Sequence, residues 1–399
     1  MSLKIDIVVH GRFHAFALAR ALIDMGHDVV VLTNYPKLVA ERFGVPRDNI
    51  KSFLRHGLLT RMASHVSGRW PVDAHERTLH VMFGKWGARR VRADADIVYG
   101  FSGVMEEYLR TPRRHPRQLR VLCRGSAHIR VQNQILLEEE RRVGASVERP
   151  TDWMIEREER EYELADRVSV LSSFARDSFI ACGHGPSACS IEALGVDVRR
   201  FQTTPQALEE RKARLLRGDR LRILTVGTFS YRKGAHDLAA VANRLAKRME
   251  FRFVGAELDE AAKVRNAAAE SIEFVGRLPE EQLKLQYAWA DIFLFPTIED
   301  GFAAVLPQAA VAGLPIIATV NSAAPDIVRR GSTGWIVAIR DPDEICSRLD
   351  WCDHHRQDVT EMVTAAPQTV AARDWHQMGS ELVALWHADS NSPIGELQP

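Results

Sequence analysis

The chain has 399 residues, 46% of them apolar and 26% charged, with a formal net charge of +1. That length exceeds one ordinary hydrophobic core and suits two domains, and the balance is that of a globular protein in water. No apolar run reaches the roughly 18 residues a membrane span needs. The opening residues alternate like a strand, without the basic and then apolar order of a signal peptide. A cytoplasmic protein is the expectation.

Strands and helices alternate along the first half. Lys4–Val9 reads as a strand, residues 13–25 as a helix ending at Gly26, and Asp28–Thr33 as a second strand. Further strands are predicted over 97–99, 120–123 and 168–171, and a helix over Ser173–Ala181. Residues 138–163 are charged and helix-prone, with Gly144 and Pro150 as interruptions, and are expected on the surface beside a cleft. After the turn at 195–201 and the polar stretch 206–220, a second series begins. It has strands at 221–226, 251–254, 272–275, Ile292–Phe295, Ile316–Thr319 and 335–337, and helices at 235–247 and 306–312. The fold class is therefore α/β, two Rossmann-like doubly wound domains facing a central cleft. The boundaries are 1–203, 204–370, a C-terminal helix at 371–388 that returns to the first domain, and a disordered tail at 389–399.

Charge is unevenly distributed. Residues 1–120 hold 20 Lys/Arg and 11 Asp/Glu, a net of +9, so the remainder carries −8. The densest basic stretch, from Arg110 to Arg120, reads R-T-P-R-R-H-P-R-Q-L-R. It is either a solvated loop or a face that meets anionic headgroups or an acidic acceptor. No nucleic-acid-binding module accompanies it. The five cysteines, Cys123, Cys182, Cys189, Cys346 and Cys352, fit no zinc spacing and read as free thiols in a reducing compartment.

The segment most informative about chemistry is D-I-F-L-F-P-T-I-E-D-G-F-A-A-V-L-P-Q-A-A-V-A-G-L-P-I-I-A-T, from Asp291 to Thr319. A buried strand runs into a loop with Glu299, Asp300 and Gly301, and an Ala-rich helix starts near Pro307. Free amides at this loop and helix start suit an anionic group, and Gly301 allows close backbone approach. Gln308 points an amide toward the same place.

This frame resembles the retaining glycosyltransferases of family 4 (glycosyl transferases group 1), which have the GT-B fold. Their hallmark is E-x7-E within E-G-F-G-x-x-x-x-E-A-x-A-x-G-x-P. Here Asp300 and Gln308 replace the two glutamates and Ala303 the second glycine, while Glu299 stands one position upstream. A second block, I-L-T-V-G-T-F-S-Y-R-K-G, is similar to the family's strand followed by V-G-R…K-G. Lys233 matches the lysine that grips the donor diphosphate. Thr228 stands where the family has arginine, and Arg232 is the substitute cation. A third block, I-E-F-V-G-R-L-P-E-E, is similar to the family's base-binding segment, which implies that backbone near Arg277 and Leu278 holds the nucleotide base. In the first half, Gly11 lies in the loop that faces the diphosphate in the family. The absence of G-x-G-x-x-G there argues against a dinucleotide dehydrogenase. His128, in R-G-S-A-H, occupies the loop where the family places a histidine at the donor sugar, with His10 and His14 as competitors.

The resemblance implies transfer of a sugar from a nucleoside-diphosphate donor to a glycan or lipid-linked acceptor with retained configuration. His128, Asp300 and Glu299 are the candidate catalytic residues. Gly11, Arg232, Lys233, Arg277, Leu278, Gly301, Phe302, Ala303 and Gln308 are the candidate donor-binding residues. No cofactor or metal is expected, since Arg and Lys neutralise the leaving diphosphate. No nucleic acid partner is expected. Contact with an anionic membrane at the inner face, through the basic first domain, is. The alternatives are a non-catalytic nucleotide-sugar-binding protein and a sugar-nucleotide epimerase of the same fold.

Overall fold

The computed structural model describes residues 2–66, 72–370 and 373–391. Two all-parallel sheets form the two halves. The first has strands β1 (Lys4–Val9), β2 (Asp28–Thr33), β3 (Ile50–Ser52), β4 (Ile97–Phe101), β5 (Leu119–Arg124), β6 (Arg167–Val170) and β7 (Cys189–Ile191). Their order is β3-β2-β1-β4-β5-β6-β7. The second has β8 (Leu221–Phe229), β9 (Met249–Glu257), β10 (Ile272–Gly276), β11 (Ile292–Phe295), β12 (Ile316–Thr319) and β13 (Gly334–Val337), in the order β10-β9-β8-β11-β12-β13. Strands buried on both faces explain the near-continuous apolar runs in β1, β2 and β11. In each sheet the strand order reverses beside the first strand of its half, between β1 and β4 and between β8 and β11. A crevice opens at the carboxyl ends there, where ligands bind in open α/β sheets.

Three differences from the sequence reading have clear causes. The charged stretch after His128 forms two helices, Ile129–Val143 and Asp152–Leu164, interrupted as expected at Gly144, whose φ of 65° favours glycine. They are not simply surface helices, because Glu139, Arg157, Glu158 and Glu161 are buried. Glu161 accepts N–H bonds from Gly103 at 2.5 Å, Met105 at 2.8 Å and Glu106 at 2.9 Å. A buried carboxylate thus closes the loop after β4, a role that composition does not reveal.

The basic stretch is divided between exposed and enclosed arginines. Arg113 pairs with Asp166, and Arg120 is buried and donates to the carbonyls of Leu109 and Thr111. Arg110, Arg114 and Arg117 are exposed, Arg110 pairing with Glu106. No helix among the described residues is long and apolar enough to cross a membrane.

The C-terminal helix runs Trp375–Asn391, so Asp389, expected in a tail, is helical and pairs with Arg167 of β6. Residues 371–372 and 392–399 lie outside the described residues. The helix crosses onto the first half. Trp386 is fully buried against Tyr99, with ring centroids 5.9 Å apart, and a Cβ on Gly379 would lie 3.1 Å from Met25 Sδ. Replacing Trp386 by Ala should cost about 3–5 kcal/mol through lost burial and a residual cavity. The check is the urea-denaturation midpoint of the first half, followed by far-ultraviolet dichroism. An unchanged midpoint would show that the crossing helix does not hold that half together.

Candidate functional site

Each half contributes loops from the carboxyl ends of its central strands. After β8, Ser230 caps a single 3-10 turn, Tyr231–Lys233, by accepting the Lys233 N–H. Gly234 follows with a φ of 76°, and a Cβ there would fall 1.8 Å from the Pro296 carbonyl oxygen. The glycine of the K-G pair therefore lets this turn lie directly on the end of β11. The loop after β11 carries Glu299, Asp300 and Gly301. The helix beyond it begins at Val305, two residues before Pro307. From the first half come the Gly11–His14 turn after β1 and the loop of Gly125 and Ser126 after β5.

The two halves touch at Gly301, where a Cβ would stand 2.4 Å from Ser126 Cα and 2.5 Å from the Gly125 carbonyl oxygen. Beside this contact, Glu299 is fully buried. Its Oε1 accepts from Ser126 Oγ at 2.7 Å and the Ala127 N–H at 3.2 Å. Its Oε2 accepts from Gln132 Nε2 at 3.0 Å and Arg232 Nε at 2.9 Å. Burial alone would raise this carboxyl. The charge of Arg232, the Ser126 hydroxyl, Lys233 and the Ala127 amide more than offset it and hold Glu299 down at about 2, from an ordinary 4.5. Glu299 thus joins the halves and has no oxygen left for a sugar, contrary to its expected catalytic place. Arg232 is shared in the same way, between Glu299 and Ser126 Oγ at 3.0 Å, though its side chain keeps 34% exposure toward the cleft.

Asp300 and Lys233 lie close by as a half-buried pair, Oδ2 to Nζ 2.5 Å. Asp300 Oδ1 also accepts the Phe302 N–H at 3.2 Å, which fixes the loop. Phe302, Ala304 and Gln308 line the cleft, and Ala303 is buried behind them. Gln308 Oε1 accepts from Tyr287 Oη at 2.9 Å, which turns its amide nitrogen away from that ring. Gly11 turns at a φ of 107°, and its N–H is held by Asn34 Oδ1 at 3.0 Å. Arg277 is exposed, and Leu278 packs half-buried on the core.

His128 is not at the cleft. It is 2% exposed and caps the Ile129–Val143 helix, its Nδ1 accepting the Arg130 N–H at 3.3 Å. Its ring lies among Tyr162, Phe179 and His184, and this burial lowers it to about 3, so it stays neutral. The loop residues that reach the cleft are Gly125 and Ser126, just before it. Of the competitors, His10 packs half-buried against His56, His80 and Phe83, whereas His14 lines the cleft beside Tyr99. The sequence reading did not single out Ser126, Gln132 or Tyr287, whose importance rests on partners more than twenty residues away in the chain. The cleft holds about 770 Å³, a volume suited to a nucleotide sugar.

This is the architecture of the GT-B glycosyltransferases. Residues 220–352 match the family model described as glycosyl transferases group 1. Over 241 residues the chain is 27% identical to a GDP-mannose-dependent alpha-(1-6)-phosphatidylinositol monomannoside mannosyltransferase of Mycobacterium tuberculosis, covering 56% of this chain and 62% of that one. It is 25% identical over 229 residues to a putative colanic acid biosynthesis glycosyltransferase, WcaL, of Salmonella typhimurium, covering 54% of each. The chain thus spans less than two thirds of the length of these relatives. Among solved structures it resembles a glycosyltransferase from Rickettsia africae, with a TM-score of 0.68 at 14% identity over 98% of this chain and 100% of that one. It also resembles sucrose-phosphate synthase from Thermosynechococcus elongatus, with a TM-score of 0.73 at 17% identity over 97% and 98%. A third is Anabaena HepE, solved in complex with UDP, with a TM-score of 0.65 at 14% identity over 97% and 100%.

The Glu299 contact gives a pH-dependent expectation. A carboxyl held below its unfolded value contributes stability that is complete above about 4.5 and is lost as pH falls toward about 2. Glu299→Gln should therefore lower stability by about 3–5 kcal/mol at pH 7, as expected for breaking a buried pair. The gap from the wild type should close as the pH falls from 4.5 to 2. Thermal melts of both proteins over pH 2–7 check this, and a constant gap would mean that Glu299 is not ionised in the fold.

Proposed function

We propose that this chain transfers a sugar from a nucleoside-diphosphate donor to a glycan or lipid-linked acceptor, with retention of configuration. The observation that carries this reading is the meeting of two segments far apart in sequence, the Ser230–Gly234 turn and the Asp300–Gln308 segment, at the cleft between the sheets. They place Arg232, Phe302, Ala304 and Gln308 around one volume, and the Lys233–Asp300 pair joins the same two segments. The match over residues 220–352 supports it.

In this reading Lys233 and the exposed face of Arg232 hold the diphosphate, where negative charge grows as the sugar departs. The Gln308 amide hydrogen-bonds the ribose. Asp300, released when Lys233 turns to phosphate, accepts from sugar hydroxyls, and Gly301 keeps the backbone close. The bond from the anomeric carbon to phosphate breaks as the bond to the acceptor oxygen forms on the same face. The acceptor proton passes to the leaving phosphate oxygen. GDP-mannose is the first donor to test, because several of the relatives are named for it. UDP-sugars come second, because HepE was solved with UDP-glucose.

A non-catalytic nucleotide-sugar-binding role is the second reading. It draws on the pairing of Lys233 with Asp300 and of Gln308 with Tyr287, which leaves the altered acid pair engaged within the protein.

Calorimetric titration with GDP, UDP, ADP and dTDP, with NAD as control, should show one diphosphate binding tightly. Lys233→Ala should weaken it by tenfold or more and abolish sugar transfer from the matching donor. Full transfer by that variant would remove the diphosphate role of Lys233. Tight binding with no transfer to any acceptor would favour the second reading.

A further inference from the structure

Most arginines in this fold are matched to carboxylates: Arg92 to Asp6 and Asp28, Arg142 to Glu139 and Asp237, Arg157 to Glu106 and Glu107. Three that line the cleft are not. Arg12, Arg20 and Arg42 make no ion pair or side-chain hydrogen bond among the described residues. All three adjoin the segment 42–44 in the cleft wall. The Arg12 guanidinium lies 4.4 Å from the centre of the Phe43 ring. The Arg20 stem passes under Gly44, where a Cβ would be 2.7 Å from Arg20 Cδ. Arg42 directly precedes Phe43. Glu41 lines the same cleft but pairs with none of them within 4 Å.

The neighbouring residue is also unusual. Phe13 adopts a φ of 39°, a costly conformation for a residue with a Cβ, and its side chain is exposed. Its ring stacks on Phe101, centroids 5.5 Å apart, and it too lines the cleft. The strain holds a large apolar ring against water at the cleft rim, where a flat platform can carry the apolar face of a sugar.

We propose that this corner is an acceptor subsite for a sugar bearing a phosphate or a carboxylate, with its ring on Phe13 and its anionic oxygens on Arg12, Arg20 and Arg42. The inference rests on the transferase reading and specifies its acceptor. Like charges brought together without counter-ions repel, and an oxyanion with several charge-assisted bonds relieves that repulsion. Arginine suits such oxygens because its fork of donors matches phosphate and carboxylate. The donor diphosphate has its own cations, Lys233 and Arg232, on the opposite half.

The test is calorimetry with glucose, glucose 6-phosphate and glucuronate, on wild type and on an Arg20→Gln, Arg42→Gln double variant, each with and without GDP or UDP. Either anionic sugar should bind at least tenfold more tightly than glucose, and the tighter one identifies the anion. The double variant should bring that preference within about twofold and leave the nucleoside-diphosphate titration unchanged. The single Arg42→Gln variant, at an exposed position, should show a partial loss should the double variant fold poorly. The proposal is overturned if the three sugars bind alike, if none binds, if the variant keeps the preference, or if it weakens nucleoside diphosphate as much as sugar. Absence of nucleoside-diphosphate binding in the wild type would instead count against the transferase reading, and the sugar preference without nucleotide would still decide the subsite.

Discussion

The arrangement of this molecule depends on one buried carboxylate. Glu299 belongs to the second half, yet three of its four donor residues, Ser126, Ala127 and Gln132, belong to the first. A carboxylate without solvent is costly unless its oxygens are satisfied, so the donors have to be in place together. That requirement fixes the separation of the two loops, and the Gly301 contact with Ser126 leaves no room for another spacing. Other links across the cleft agree with this closed arrangement. Arg142 pairs with Asp237, Arg340 pairs with Glu138 and Glu139, and Asp326 accepts the Ser173 N–H at 2.8 Å. Separating the halves would break these bonds together, so ionic contacts as well as apolar packing hold them.

Adjacent acids consequently divide the labour. Glu299 and Asp300 follow one another in sequence, but the backbone sends one into the contact between the halves and the other against Lys233. The carboxylate that looked like a spare for the shortened Asp300 is committed to holding the halves. Asp300 alone keeps a charge that ligand binding can redirect.

The sheets were legible because their signal is local. Buried parallel strands such as Asp28–Thr33 and Ile292–Phe295 are short apolar runs with breakers at both ends, and a strand needs little more to be seen. Short edge strands such as Cys189–Ile191 carry too few residues to give a pattern. The segments bearing Lys233 and Asp300 were legible through the resemblance of their two blocks to a known family, since the turn and the loop each keep a local motif. The direction of side chains was not. His128 sits three residues after Gly125 in the right loop, but a helix starts at once and turns the ring into an aromatic pocket formed by Tyr162, Phe179 and His184. Nothing in R-G-S-A-H distinguishes that from a ring facing the cleft. In the basic run at Arg110–Arg120, the pairing of Arg113 gave no local signal, because its partner Asp166 lies 53 residues away.

Apart from exposed residues such as Arg114 and Arg117, two groups of cations stand out in the first 120 residues. One is neutralised inside the fold, as at Arg92 and Arg113. The other remains in the cleft wall at Arg12, Arg20 and Arg42. The second half is different, because Arg232, which lines the cleft, is matched by Glu299, and Lys233 is matched by Asp300. An anion reaching the first wall meets unpaired cations and breaks no contact. An anion reaching Lys233 must displace Asp300, whose carboxylate then stands free at the position proposed for the sugar. On this reading the Lys233–Asp300 pair keeps the donor side neutral until a diphosphate arrives. The same exchange that holds the diphosphate produces the hydroxyl acceptor that orients the sugar, so the shorter acid at position 300 serves as a counter-ion first and a ligand second.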